Sequence, residues 1–238
     1  MLDRSVLRWG GLAAVVGSVI AFVFNLLHPR SSAAPGNVEA ELELVAGSDI
    51  WLFDHYMLAW AIGLSVTGLI AIGWSLREGP SASWGRFALA HAIAGGVVGF
   101  VTVLVDGMGQ KSVATAWAAN PGPETLAAAT AVSEVSVALF TGLAGSLFGF
   151  APIFFGIALL ADDGYAKWLG WLPIASGTLG VIVSSMQFLG GLSNLSANFL
   201  FPIASLAFTV WIAIMGWRLW KGAPAGTGAA PARSTANV

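Results

Sequence analysis

Six long apolar stretches separated by short polar segments are the feature that most limits what this chain can fold into. A helix of about 20 mainly apolar residues crosses the roughly 30 Å hydrocarbon core of a bilayer. The predicted spans cover residues of about 7–27, 51–76, 87–105, 135–160, 168–189 and 197–220. The sequence therefore predicts an all-α, polytopic membrane protein built as a bundle of six transmembrane helices.

Composition supports lipid as the main partner of the chain. Of the 238 residues, 57% are hydrophobic and 9% are charged, whereas soluble domains carry about 25% charged residues. A formal net charge of −2 offers no basic surface for nucleic acid. The chain has no cysteine, which excludes disulfides, thiolate nucleophiles and cysteine-ligated zinc or iron–sulfur centres.

The distribution of basic residues predicts the orientation of the bundle. Of the 10 Lys and Arg residues, all except Arg30 and Lys111 fall on the side of the N-terminus when six spans are assumed. Cytoplasmic connections retain Lys and Arg, so both termini are predicted to be cytoplasmic. An alternative is that the first stretch is a signal peptide cleaved near residues 31–34. Its apolar run exceeds the usual 7–15 residues of such peptides, which favours a transmembrane span.

Outside the spans, two segments have distinct characters. Residues 222–238 are rich in Gly, Ala and Pro and are predicted to form a disordered cytoplasmic tail after a bundle of residues 1–221. Asn37 is predicted to cap a short helix that lies on the membrane surface, with Val38, Leu42 and Val45 on its apolar side.

Ionisable residues concentrate where the predicted spans reach the outer boundary of the membrane. Polar residues are least costly at helix ends, so topology alone explains part of this pattern. Ionisable residues that share one depth are also expected where they line a vestibule that binds a ligand or an ion. The candidate ligand- or ion-binding residues are His28, Asp54, His55, Asp106, Lys111 and Glu134.

Four of these residues are potential metal ligands contributed by four helices: His28, His55, Asp106 and Glu134. Histidine and carboxylate ligands suit Zn, Fe, Mn or Cu, and helical bundles build metal sites from facing helices. No His-x-x-x-His or Glu-x-x-His spacing accompanies them. Haem ligated by His28 and His55 from both sides is the alternative, although Arg30 is the only arginine predicted near its propionates.

Two further side chains have competing interpretations. A turn at Gly107 and Gly109 would fold Lys111 back, so that it forms an ion pair with Asp106, Glu134 or Asp54 and closes the outer end. The alternative is that Lys111 belongs to a proton- or cation-binding position. His91 is expected to pack inside the bundle, hydrogen-bonded to Ser65, Thr67 or water, or to relay protons towards Asp106.

Three stretches resemble known membrane proteins: Asp54-His55, the run from Val105 to Lys111 followed by Trp117, and Tyr165–Trp171. They are similar to a large group of bacterial multi-pass proteins that are common in actinobacteria and belong to domain families of unknown function such as DUF4386. The resemblance implies a six-span protein of the bacterial inner membrane. It implies no activity, cofactor or catalytic residue.

Three functions are compatible with these features. The first is binding or passage of a small molecule or ion through an extracytoplasmic polar vestibule. The second is a membrane redox or metal-dependent enzyme subunit that uses the same outer cluster, although no nucleophile motif such as Gly-x-Ser-x-Gly is present. The third is an accessory or scaffold subunit in a homo-oligomer or a larger membrane complex, suggested by short loops and helix faces rich in small residues.

Overall fold

The computed structural model describes residues 4–30 and 36–222, and every regular element in this part of the chain is helical. The tail after Gly222 and the alternative cleavage segment 31–34 lie outside the described residues. The α-helices are α1 (Arg4–Leu27), α2 (Val38–Gly47), α3 (Trp51–Ser75), α4 (Ala82–Leu104), α5 (Gln110–Ala119), α6 (Pro123–Gly145), α7 (Ala151–Leu160), α8 (Lys167–Gly190) and α9 (Phe201–Trp220).

Six helices in the described part are long and apolar enough to cross a membrane, which confirms the predicted number of spans. Short π-helical or 3-10 segments join several α-helices into these continuous rods. The rods are Arg4–Leu27, Trp51–Ser75, Gly79–Ala119, Pro123–Leu160, Lys167–Gly190 and Asn194–Trp220. The third and fourth are longer than the predicted 87–105 and 135–160, because the helices continue beyond the apolar runs.

Three π-helical segments widen the rods at defined places within the described residues: Val105–Gly109, Ser146–Phe150 and Asn194–Leu200. The second and third end two residues before Pro152 and Pro202, respectively. Proline lacks an N–H group and its ring collides with the carbonyl four residues earlier, so a wider turn accommodates it. The first segment has no proline. It contains Gly107 and Gly109, and the chain stays helical there instead of forming the predicted turn.

The main hydrophobic core is formed by α1, α3, α4, α6, α7, α8 and α9. Its largest fully buried side chains include Trp211, Phe155 and Phe208. The indole N–H of Trp211 donates to the carbonyl of Leu169 at 2.7 Å, which satisfies its polar atom inside the core. Small residues bring the helices together, as where Gly11 of α1 faces the backbone of α9.

A second, smaller hydrophobic cluster, here called the cap cluster, comprises Leu42, Val45, Trp51, Ala114 and Ala129. It joins α2, α5 and α6 to the start of α3. The side chain of Asn37 accepts the N–H of Ala40 at 3.2 Å, so the predicted cap of α2 is confirmed. The end of the molecule that carries the cap cluster is called the polar end below, because most candidate site residues lie beside it.

Candidate functional site

Asp54, in the first turn of α3, is the centre of the polar end. Its side chain is 1% exposed, and its Oδ2 accepts a hydrogen bond from Nδ1 of His28 at 2.7 Å. His55 approaches the same oxygen with its Nδ1 at 3.8 Å. The other oxygen, Oδ1, is buried without a hydrogen-bond partner in the described part of the chain. Three potential ligands from α3 and the end of α1 therefore meet around one buried carboxylate.

The hydrogen bonds of His55 determine how many protons His55 and Asp106 hold between them. Its Nδ1 lies 2.8 Å from the carbonyl of Trp51, which can only accept, so Nδ1 carries a proton. Its Nε2 lies 3.1 Å from Oδ2 of Asp106, and this contact requires a second proton on one of the two groups. His55 and Asp106 together thus form either an imidazolium–carboxylate pair or a neutral imidazole accepting from a carboxylic acid.

The π-helical segment Val105–Gly109 places Asp106 against α3. A Cβ atom on Gly107 would lie 2.7 Å from the Cβ of His55, so only glycine allows this approach. The indole N–H of Trp51 donates to the carbonyls of Asp106 and Gly107 at 3.2 and 3.1 Å. The hydroxyl of Ser136 on α6 contacts Oδ1 of Asp106 at 3.4 Å. A wide turn, common at functional sites, thereby holds Asp106 in place.

Lys111 does not form the predicted ion pair with any residue that the structure describes. Its Nζ donates to three backbone carbonyls at the end of α2, those of Val45, Ala46 and Ser48, at 2.8, 3.1 and 2.9 Å. These contacts use all three N–H groups of an ammonium. The positive charge also lies where a helix dipole is negative. Lys111 therefore fixes α2 to α5, and its N–H groups are committed to the protein.

The remaining predicted site residues lie apart from this group. Glu134 is exposed on α6 and does not belong to the cluster of potential ligands around Asp54.

His91 also lies apart from the cluster. Its ring packs on Phe150 and Phe154, with centroid distances of 5.2 and 5.4 Å, respectively. Its Nδ1 lies 3.4 Å from the hydroxyl of Ser146, which is its partner in place of Ser65 or Thr67.

The geometry does not fit haem held between His28 and His55. Their ring centroids are 5.1 Å apart, and both rings lie against Asp54. A planar macrocycle ligated from both faces needs space between the two rings. The same short separation suits a single metal ion.

Glu41 is a titratable member of the polar end that is absent from the residues predicted from the sequence. Burial raises the pKa of Glu41 above its ordinary value of 4.5, the charge of Asp106 raises it further, and a hydrogen bond with Ser133 acts in the opposite direction. The sequence alone could have identified Glu41 as a partly buried residue, because it follows Val38 by three residues and precedes Val45 by four. That spacing places all three on the buried face of α2.

We expect Glu41→Gln to stabilise the protein at neutral and alkaline pH. A carboxyl with a raised pKa in the folded state favours folding when protonated, and this contribution is lost as pH rises from below 4.5 through the folded pKa. Glutamine does not titrate. Because Glu41 is partly exposed, the gain should be below about 1 kcal/mol. Thermal unfolding at several pH values measures it. Glu39→Gln, at an exposed position of the same helix, is the control, and identical pH profiles for the two variants would contradict the assignment.

A lipid-facing groove begins beside this site. It has a volume of about 1020 Å³ and lies between α3 on one side and α4, the π-helical segment and α5 on the other. Its polar lining is concentrated at one end, where His55, Lys111, Ser112 and Thr115 are found, and the rest is mainly apolar. A second hollow of about 340 Å³ shares Gly63 and Phe100 with it and continues towards Ile70. The two hollows adjoin each other along the surface formed by α3 and α4.

No protein-family model matches the chain, and neither curated proteins nor solved structures give a match. The class that the structure supports is a multi-pass helical membrane protein. Any more specific function must be inferred from the polar end and the groove.

Proposed function

We propose that the protein binds a single-chain amphiphile dissolved in the membrane, with the chain in the groove and the polar group beside His55 and Asp106. The observation that carries this proposal is the asymmetry of the groove, which is polar at one end and apolar along the rest of its length. Amphiphiles have the same asymmetry. Among the described residues of the site, none resembles an activated nucleophile, so binding or passage fits better than turnover.

The size of the groove matches an acyl or isoprenoid chain. The stretch of α3 from Leu52 to Ile70, which lines the two hollows, is about 27 Å long at 1.5 Å per residue. That approaches the roughly 30 Å thickness of the hydrocarbon core. The side chains of Tyr56, Trp60 and Met108 are exposed along the groove and provide contact area for such a chain.

The polar end is suited to a small headgroup. Both ring nitrogens of His55 are committed to Trp51 and Asp106, whereas the side chain of Asp106 is 35% exposed and its carboxylate can accept a hydrogen bond from a ligand. The hydroxyl of Ser112 lies in the same part of the lining. Lys111 contributes to the wall but not to charge recognition, because its N–H groups are committed to α2. These features favour an uncharged headgroup over a doubly anionic one.

The predicted orientation places this binding site on the extracytoplasmic side of a bacterial inner membrane. Support comes from the Lys and Arg residues of the connections, which concentrate on the side of both termini. An amphiphile arriving from the outer leaflet would meet the polar end of the groove first.

Gly63→Leu tests the groove directly. A Cβ on Gly63 meets nothing within 4 Å, so leucine should fill the groove without disturbing the helices. Excluding about two methylene groups of a bound chain, at about 0.8 kcal/mol each, should weaken binding about tenfold. Binding is measured as photocrosslinking of a diazirine- and alkyne-bearing palmitoyl glycerol to protein in lipid nanodiscs, with the labelled peptides identified.

Gly190→Leu is the matched control, because Gly190 on α8 is equally open and lies outside the groove. We expect it to retain wild-type labelling of α3 and α4. Labelling spread evenly over the lipid-facing helices, or unchanged by Gly63→Leu, would show ordinary lipid contact and overturn the proposal.

A further inference from the structure

The buried carboxylate of Asp54 lacks a partner for one of its two oxygens. Oδ2 is bonded to His28, whereas Oδ1 has no donor within hydrogen-bond distance in the described part of the chain. The side chain is 1% exposed, so bulk water does not reach it. A buried carboxylate in this state is costly unless a cation or a donor compensates it. The unpaired oxygen therefore favours a positively charged group beside this carboxylate.

Potential metal ligands surround this carboxylate at suitable distances. One ligand atom from each of His28, Asp54 and His55 lies within 4.8 Å of the others. The two measured separations from Oδ2 of Asp54 are 2.7 Å to His28 and 3.8 Å to His55. Ligands at about 2.0–2.2 Å from a tetrahedral ion lie about 3.3–3.6 Å apart. Small side-chain adjustments would therefore bring all three atoms onto one ion.

Asp106 provides the support that a metal-binding histidine needs. Its Oδ2 lies 3.1 Å from Nε2 of His55 and can accept the proton of that nitrogen, which leaves Nδ1 as the ring nitrogen on the side of Asp54. Histidine ligands usually donate their second ring N–H to a carboxylate or carbonyl in this manner. Coordination through Nδ1 of His55 would replace the proton that now bonds to the carbonyl of Trp51 at 2.8 Å, and coordination through Nδ1 of His28 would replace the proton that it donates to Asp54.

We infer that His28, Asp54 and His55 bind a divalent first-row transition metal, with Zn²⁺ as the reference ion. Two imidazoles and one carboxylate are a ligand set that such ions accept, and three protein ligands leave one position of a tetrahedral ion open. Access is through His28, whose side chain is 27% exposed. This set differs from the one predicted from the sequence, because Asp54 is a ligand, Asp106 supports His55 and Glu134 does not contribute. The inference does not depend on amphiphile binding.

The test is titration of chelator-treated, full-length protein in detergent with Co²⁺, after removal of any histidine tag. Visible absorption bands of bound Co²⁺ report the coordination directly, and displacement by Zn²⁺ measures relative affinity. We expect one equivalent to bind to the wild type. His28→Ala and Asp54→Asn should each weaken binding more than about 100-fold, because each removes a ligand, and Asp106→Asn should weaken it about 10–100-fold.

Glu134→Gln is the matched control, because it neutralises an exposed carboxylate that does not belong to the ligand set. It should bind Co²⁺ as the wild type does. Should Asp54→Asn not fold, His28→Ala still decides the question, since His28 lies at a partly exposed helix end. Absence of saturable one-equivalent binding by the wild type, or wild-type affinity in His28→Ala, would overturn the inference. Gly63→Leu should leave Co²⁺ binding unchanged, so failure of this inference is distinguishable from failure of the groove proposal.

Discussion

Replacing Lys111 with methionine is expected to release α2 from the rest of the protein and to lower the melting temperature markedly. Methionine has a similar length but cannot donate to the carbonyls of Val45, Ala46 and Ser48. Hydrogen bonds from charged groups contribute about 1.5–3 kcal/mol, and an acceptor left buried without a partner adds a cost of similar size. We therefore expect the free energy of unfolding of the cap cluster to fall by at least about 1.5–3 kcal/mol.

Two measurements separate this local effect from global unfolding. Thermal unfolding gives the overall loss, and amide hydrogen exchange shows whether α2 loses protection before the long helices do. Lys167→Met is the matched control, because the Nζ of Lys167 is exposed and bonds to Leu160 and Asp163 at the surface. Its effect should remain within about 0.5 kcal/mol. Equal effects of the two substitutions would show that the three carbonyl contacts are unimportant.

Gly180→Ala is expected to destabilise the protein strongly, although it adds a single methyl group. A Cβ at this position of α8 would collide with the carbonyl oxygen of Phe148 and lie 2.6 Å from its carbonyl carbon. These atoms are backbone of the π-helical segment Ser146–Phe150, so no side-chain rotation relieves the contact. Overpacking of this kind costs about 1–3 kcal/mol, occasionally more.

Gly63→Ala provides the comparison for this prediction. Gly63 lies within α3 with nothing within 4 Å of an added Cβ, so the higher helix propensity of alanine should stabilise the protein by about 0.5–1 kcal/mol. Thermal unfolding of both variants in the same detergent measures the difference. Gly180→Ala is expected to lower the melting temperature, and Gly63→Ala is expected to raise it. A neutral Gly180→Ala would indicate that α8 and the π-helical segment are not in close contact.

The six spans were predictable because lipid imposes a simple requirement on length and polarity. The positions of His28, Asp54 and His55 at the ends of their spans also predicted that all three lie at one end of the bundle. Depth does not fix the rotation of a helix about its axis. For this reason Glu134 was predicted at the level of the other candidates but lies exposed on α6.

The contacts of Asp106 and Lys111 were harder to predict because they depend on tertiary packing. Glycines at 107 and 109 favour a turn when their local sequence alone is considered, whereas the structure uses Gly107 to let a π-helical segment approach His55. A carboxylate was the expected partner of Lys111, but its partners are carbonyls at the end of a short helix that only docking brings near. The groove is likewise visible only once α3 and α4 are placed side by side.

The cap cluster is joined to the site through the side chain of Trp51. Its ring belongs to the cluster, while its N–H reaches the carbonyls beside Asp106. Because the cap cluster is small and separate from the main core, we expect it to loosen at a lower free-energy cost than unfolding of the six long helices. Loosening it would withdraw the indole of Trp51 from the carbonyls of Asp106 and Gly107. The π-helical segment that lines the polar end of the groove would then lose these two hydrogen bonds. If the groove binds an amphiphile as proposed, loosening of the cap cluster alone is expected to be enough for its release, without unfolding of the six long helices.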